Sequence, residues 1–228
     1  HYKESIEALM EDIQSQFKVK ITEQSLKMAI AICNETRKFL LLLNNLRKEN
    51  NPSILAAQML EVCKLVMTTD KAFFNKGLKI LLGQLGPSNI EEKYRYRILL
   101  TGSFKDQEWL FNAVEEAGGQ VVCEDNCTGL RYFNGLVDEG LNPISAIATR
   151  YMEYKIPSAG LVSFERRSES ILRLINEFKI DAVVYYILKF DDPYLFEYPE
   201  MKDFFDKNSI PVLRIVYTPE DLLTLLCW

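Results

Sequence analysis

The segment RILLTGS, Arg97 to Ser103, decides how the chain is read. Ile98, Leu99 and Leu100 form a short apolar run, and Gly102-Ser103 turns the chain just after it. Such a run, lacking polar alternation, reads as a strand buried on both faces, as in parallel sheets. Three more strands follow: Gln120–Cys123, Asp181–Leu188 (DAVVYYIL) and Pro211–Tyr217 (PVLRIVY). Amphipathic helical stretches lie between and after them. These are Asp106–Ala117, closed by Gly118-Gly119, then Pro143–Tyr154, Arg166–Phe178, Pro199–Lys207 and Pro219–Leu226. Strands alternating with helices predict βαβ units. The expected fold class is α/β, a four-stranded parallel Rossmann- or flavodoxin-like sheet with helices on both faces. Ligands of such sheets bind beyond the carboxyl ends of the strands. Here those ends are Gly102-Ser103, Glu124–Thr128, Phe190–Pro193 and Thr218.

Upstream the hydrophobic period is that of helices. Ile6, Leu9, Met10, Ile13 and Phe17 share one helix face. A second helix is expected from a Thr22 cap through Leu46, a third from Pro52 to about Met67, and a fourth capped by Thr69 or Asp70. Gly86-Pro87-Ser88 ends this part. The expected organisation is a helical region over 1–90 and an α/β domain over 91–228.

Composition narrows the function classes. The 228 residues are 48% hydrophobic and 26% charged, with a net charge of -5. That balance is ordinary for a globular chain, and nucleic acid is not an expected partner of an acidic one. The densest apolar run, Phe39 to Leu43, is far short of the roughly 20 residues a spanning helix needs, so no membrane partner is expected. The opening HYKESIEALM reads as an amphipathic helix and not as a signal peptide. Five scattered cysteines, Cys33, Cys63, Cys123, Cys127 and Cys227, do not form a disulfide framework, and a cytoplasmic location is expected. His1 is the single histidine, which argues against Ser–His–Asp, Cys–His and histidine-zinc chemistry. Neither G-x-G-x-x-G nor a Walker sequence occurs, so neither NAD nor ATP is expected on this chain.

Two strand ends carry local sequences with a family likeness: CEDNCTGLRYF (Cys123–Phe133) and KFDDPYLFEYP (Lys189–Pro199). RILLTGS precedes them, VEEAGGQVV and IPVLRI stand in matching places, and ITEQSLKMAIAICNETR (Ile21–Arg37) agrees in the helical part. With these motifs in this order, the chain resembles the C-terminal part of the 2-hydroxyacyl-CoA dehydratase and benzoyl-CoA reductase subunits. The resemblance implies a [4Fe-4S] cluster on cysteine thiolates and a second related subunit, or a homo-oligomer. It also implies an acyl-CoA ligand and an ATP-dependent activator that injects one electron for radical loss of water.

The chain departs from that pattern at the cluster. Where the family typically reads KFCDP, this sequence has Lys189-Phe190-Asp191-Asp192-Pro193, so Asp191 occupies the cysteine slot. Ser158 holds a place where the family often has cysteine. Carboxylate is a harder ligand than thiolate, so the cluster is not expected intact in this chain. Asp191 is the metal candidate, and Ser103, Arg131 and Ser158 are the substrate-binding candidates. Each has a plainer reading. Asp191-Asp192 before Pro193 suits a helix start, and Arg131 and Arg150 suit solvated or paired surface positions. Cys123 and Cys127 suit packing or turn roles, since C-x₃-C is not a strong metal signature. The alternative function is a non-catalytic scaffold or small-molecule-binding relative.

Overall fold

The computed structural model describes residues 1–86, 95–103, 108–153 and 158–218. Its elements run α1 (Tyr2–Phe17), α2 (Glu23–Asn45), a 3-10 turn (Leu46–Lys48), α3 (Ala56–Thr68) and α4 (Lys71–Gln84). They continue with β1 (Tyr96–Gly102), α5 (Glu108–Glu116), β2 (Gly119–Asp125), α6 (Leu130–Phe133) and α7 (Pro143–Met152). Last come α8 (Phe164–Phe178), β3 (Ala182–Leu188), α9 (Asp192–Lys207) and β4 (Val212–Tyr217). The four strands form one sheet in the order β2-β1-β3-β4, with every pair parallel, as expected. Among the described residues no strand precedes β1. The expected 90/91 boundary and the last helix, from Pro219, lie outside the described residues.

Local chemistry explains the helix starts. Thr22 Oγ1 accepts from Ser25 N at 3.1 Å and Ser25 Oγ accepts from Thr22 N at 2.9 Å, a reciprocal cap for α2. Asp70 Oδ1 accepts from Phe73 N at 2.9 Å and starts α4. Two starts differ from the sequence reading. The third helix begins at Ala56 and not at Pro52, because Gln58 Oε1 accepts from Leu55 N at 2.9 Å and makes Leu55 the cap. The ninth begins at Asp192 and not at Pro199, because Pro193 presets the backbone of the first turn. Pro199 then sits inside the helix, where its missing N–H removes one backbone bond.

The chain sorts into two compact units. One comprises His1–Leu41, Thr69–Gln84 and Phe133–Lys155. It is helical. Ile30, Val137 and Ala146 form its buried cluster, with Ile147 against them. Asn34 treats Val137 as a strand partner would: Nδ2 donates to Val137 O at 2.7 Å and Oδ1 accepts from Val137 N at 3.0 Å. The Tyr2 and Tyr151 rings meet at 5.2 Å.

The other unit comprises Leu42–Thr68, Leu85–Tyr132 and Ile156–Trp228 and holds the sheet. On one face Ile98, Leu100, Val121, Val184 and Tyr186 pack with Ala56 and Leu60 of α3 and with Leu110 and Phe111 of α5. On the opposite face Tyr185 lies against Tyr194 and Tyr198 of α9, with ring centroids 6.4 and 5.1 Å away. Arg167 of α8 reaches Thr101 and Asp125 on that same face. Burying each such large apolar side chain favours folding by about 1.5–3 kcal/mol. Helices thus cover both faces.

Candidate functional site

The strand ends are held by a buried charged network that the sequence reading did not anticipate. Asp125 closes β2 with a side chain 0% exposed. Its Oδ1 accepts from Arg131 Nε at 2.7 Å and its Oδ2 from Arg131 Nη2 at 3.0 Å. Oδ2 also accepts from Arg167 Nη1 at 2.6 Å and from Thr101 Oγ1 at 2.7 Å. Arg167 Nη2 donates to Thr101 Oγ1 at 3.0 Å, and its Nε lies 3.3 Å from Glu197 Oε1. Glu197 also accepts from Tyr185 OH at 2.5 Å, and Arg131 Nη1 donates to Tyr194 OH. Two guanidiniums and two carboxylates balance, which is what lets four charges stay away from water. Burial alone would raise the Asp125 carboxyl, but Arg131 and then Arg167 hold it well below the usual carboxylate range. Burial, and then the Glu197 charge, push the Tyr185 phenol far up, so it stays a donor.

A second buried pair lies at the edge strand. Arg47 bonds both oxygens of Glu124 at 2.5 Å and donates to Val121 O at 2.8 Å. Cys63 and Cys123 are buried beside it. Burial pushes the Cys63 thiol up to about 12, with the Glu124 charge adding to it. Both cysteines are therefore neutral thiols in packing positions.

The sequence candidates divide between framework and opening. Ser103 is buried and structural in its bonding: its N donates to Tyr186 O at 2.8 Å and its Oγ accepts from Leu188 N at 3.1 Å. Gly102 before it has φ +114, and a Cβ there would lie 2.0 Å from Tyr186 O. Arg131 is 4% exposed, with its donors on Asp125 and Tyr194. Arg150 donates to Gly135 O at 2.9 Å and Asn134 O at 3.0 Å. Ser158 is half-buried, and its carbonyl accepts from Leu161 N at 3.4 Å. Asp191 is half-buried at the cap of α9; its carbonyl accepts from Leu195 N at 3.1 Å, and its side chain makes no cap bond. The residue before it, Phe190, has φ 73 and is 82% exposed. Cys127 is exposed in the turn after β2.

The Ser158 and Asp191 loops are brought together. A Cβ on Gly160 would stand 3.4 Å from Pro193 Cβ, so the 158–164 loop rests on the first turn of α9. Beside this contact lies an open groove of about 510 Å³. Its apolar lining is Val162, Phe164, Pro193 and Phe196, and its carboxylates are Asp192, Glu197 and Glu200. Among the described residues no group of three His, Cys, Asp or Glu side chains could hold a metal ion. The donor set of the described residues therefore does not fit a four-iron cluster held by this chain alone.

Comparison with known proteins supplies the family. The one described as "2-hydroxyglutaryl-CoA dehydratase, D-component" matches residues 1–219. The chain is 27% identical to the (R)-phenyllactyl-CoA dehydratase beta subunit of Clostridium sporogenes, over 92% of this chain and 59% of that one. It is 21% identical to a benzoyl-CoA reductase subunit of Thauera aromatica, over 95% of this chain and 57% of that one. It is 25% identical to a putative dehydratase subunit of Escherichia coli, over 94% of this chain and 57% of that one. The chain thus spans a little under three-fifths of the length of these curated relatives. With the family matched over nearly its whole length, the chain belongs to the 2-hydroxyglutaryl-CoA dehydratase D-component family.

Proposed function

We propose that this chain is the acyl-CoA-facing part of a dehydratase-type subunit, working with a second related subunit at the carboxyl ends of its strands. The observation that carries the reading is the convergence of the Ser158–Gly160 loop and the Asp191–Pro193 turn beside one open groove. Family membership supports a thioester ligand and a partner subunit, since the relatives are named as subunits of acyl-CoA enzymes. In this chain Arg131, Asp125 and Arg167 hold α6, α8 and α9 in place, so the groove wall is preorganised before a ligand arrives. Ser103 shapes the β1 end through backbone contacts, and Ser158 lies on the loop beside the groove. The reaction class that fits the family is radical elimination of water from a 2-hydroxyacyl-CoA, with the electron delivered by an ATP-dependent activator. No step can be assigned here to a cluster, because Asp191 is a single hard ligand and no second donor set surrounds it among the described residues. The free thiols fit a reducing cytoplasm, and no described helix is long and apolar enough to cross a membrane.

A second reading has its own observation. Asp191 and Ser158 stand at positions where the family resemblance implies cysteine, which suits a relative that kept the thioester groove and gave up the redox step. Anaerobic purification of the full subunit with its partner, followed by iron and sulfide assay and titration with butyryl-CoA, separates the two. Binding with about four irons supports the dehydratase. Binding without iron supports the scaffold. Failure to bind butyryl-CoA at millimolar concentration sinks both.

A further inference from the structure

Resting on the acyl-thioester reading above, we infer that the groove between the 158–164 loop and α9 takes the acyl end of the ligand. It selects uncharged, apolar acyl groups against acyl groups that carry a second carboxylate, with Asp192, Glu200 and Phe196 as the specificity-determining residues.

The walls set the preference for apolar chains. Phe196 is 78% exposed. Phe164 is fixed by an edge contact with Phe204 at 6.4 Å. Val162 and Pro193 complete an apolar strip in a space of about 510 Å³, within the range of small-ligand pockets. An acyl chain laid on that strip removes exposed aromatic surface from water.

The rim sets the discrimination by charge. Three carboxylates line the groove, and no basic side chain does among the described residues. Glu197 is answered by Arg167 and Tyr185. Asp192 and Glu200 are exposed and make no ion pair among the described residues. The positive end of α9 would favour an anion, but Asp192 in the first turn already answers it. A ligand carboxylate in this space therefore meets like charges a few ångströms away, partly desolvated by the Phe rings, and loses affinity by about tenfold or more at low salt. The same repulsion keeps the phosphates of the coenzyme out of the groove, so the nucleotide end lies elsewhere.

The test is calorimetric titration of the full subunit with its partner, using hexanoyl-CoA, glutaryl-CoA and CoA at low ionic strength. Hexanoyl-CoA should bind at least about tenfold tighter than glutaryl-CoA, with the gap shrinking as salt rises. The double variant Asp192→Asn, Glu200→Gln should close most of that gap by improving glutaryl-CoA. Phe196→Ser should weaken hexanoyl-CoA more than CoA. All three positions are exposed or on the rim, and circular dichroism confirms folding. If the double variant misfolds, the wild-type comparison decides alone. Glutaryl-CoA binding as tightly as hexanoyl-CoA in the wild type overturns the inference and leaves the thioester reading standing, as does a gap that the folded double variant does not narrow. If none of the three ligands binds, the thioester reading fails and the inference with it.

Discussion

Arg167 Nη1 lies 2.6 Å from Asp125 Oδ2, and the two side chains are 1% and 0% exposed. Asp125 faces a second guanidinium, Arg131, on its other side. Asp125→Asn keeps the shape and removes the charge that both arginines need. Breaking a buried pair costs about 3–5 kcal/mol because the remaining charge is stranded. Urea unfolding followed by circular dichroism and tryptophan fluorescence should show that loss; a change under about 1 kcal/mol, the size of an exposed pair, would mean water reaches the network.

The same hub sets an acid sensitivity. The folded Asp125 carboxyl titrates well below its unfolded value: burial opposes ionisation, but Arg131 and Arg167 outweigh it. Its contribution is complete above the unfolded value, about pH 4, and drains away as pH falls toward the folded one. Between about pH 4 and pH 2.5 the wild type should therefore lose melting temperature faster than Asp125→Asn, whose hub does not titrate. Parallel slopes in a thermal scan would contradict this.

Gly102→Ala should unfold the β1 end. The backbone there has φ +114, and the new Cβ would lie 2.0 Å from Tyr186 O, a strand backbone atom that cannot move aside. Strain at a positive φ and the clash together should cost about 3 kcal/mol or more, read as a drop in the urea midpoint. Gly135 has φ +75 but nothing within 4 Å of its Cβ position, so Gly135→Ala should cost far less.

Thiol accessibility separates the cysteines. Cys127 is exposed, whereas Cys63 and Cys123 are buried, with Cys63 pushed up to about 12 and Cys123 also raised by burial. Iodoacetamide at neutral pH should label Cys127 first, and Cys63 and Cys123 only after denaturation, as read by peptide mass spectrometry. Rapid labelling of Cys63 in the native chain would mean that α3 opens from the sheet.

The fold was legible because hydrophobic period carries it. RILLT, DAVVYYIL and PVLRIVY are all strands of the parallel sheet, and β4 lies at its edge with Leu213 59% exposed. The buried charges were not legible by type, since Arg131 read as a substrate-binding candidate or as a solvated or paired surface arginine. Their positions held the signal. Arg167 shares a helix face with Ile171, Leu174 and Phe178, and Arg47 continues the face of Leu40 and Leu43. An arginine on an apolar stripe needs a buried acid, and Glu124-Asp125 at the end of a strand supplies one for each. What sequence could not give is which acid meets which arginine, because that depends on the register of β1 on β2, which shifts between Ile98 and Leu99.

Asp191 is where the redox question can be decided. It stands at the first turn of α9, half-buried, with its side chain free of the cap bond that its position invites. The helix therefore does not need this carboxylate for its start. The family resemblance implies a thiolate in this slot, and a carboxylate could complete a cluster only if other thiolates already held it. Those thiolates would have to come from outside the described residues or from a partner subunit. If so, Asp191→Cys replaces a hard ligand with a soft one and should raise iron and sulfide content after anaerobic reconstitution with the partner subunit present. Asp191→Ala should lower it. The stability of α9 should change little in either variant, because no bond of the Asp191 side chain holds the helix. If wild type already binds about four irons per chain and neither substitution alters that content, the cysteine-slot assignment is wrong and the cluster lies elsewhere.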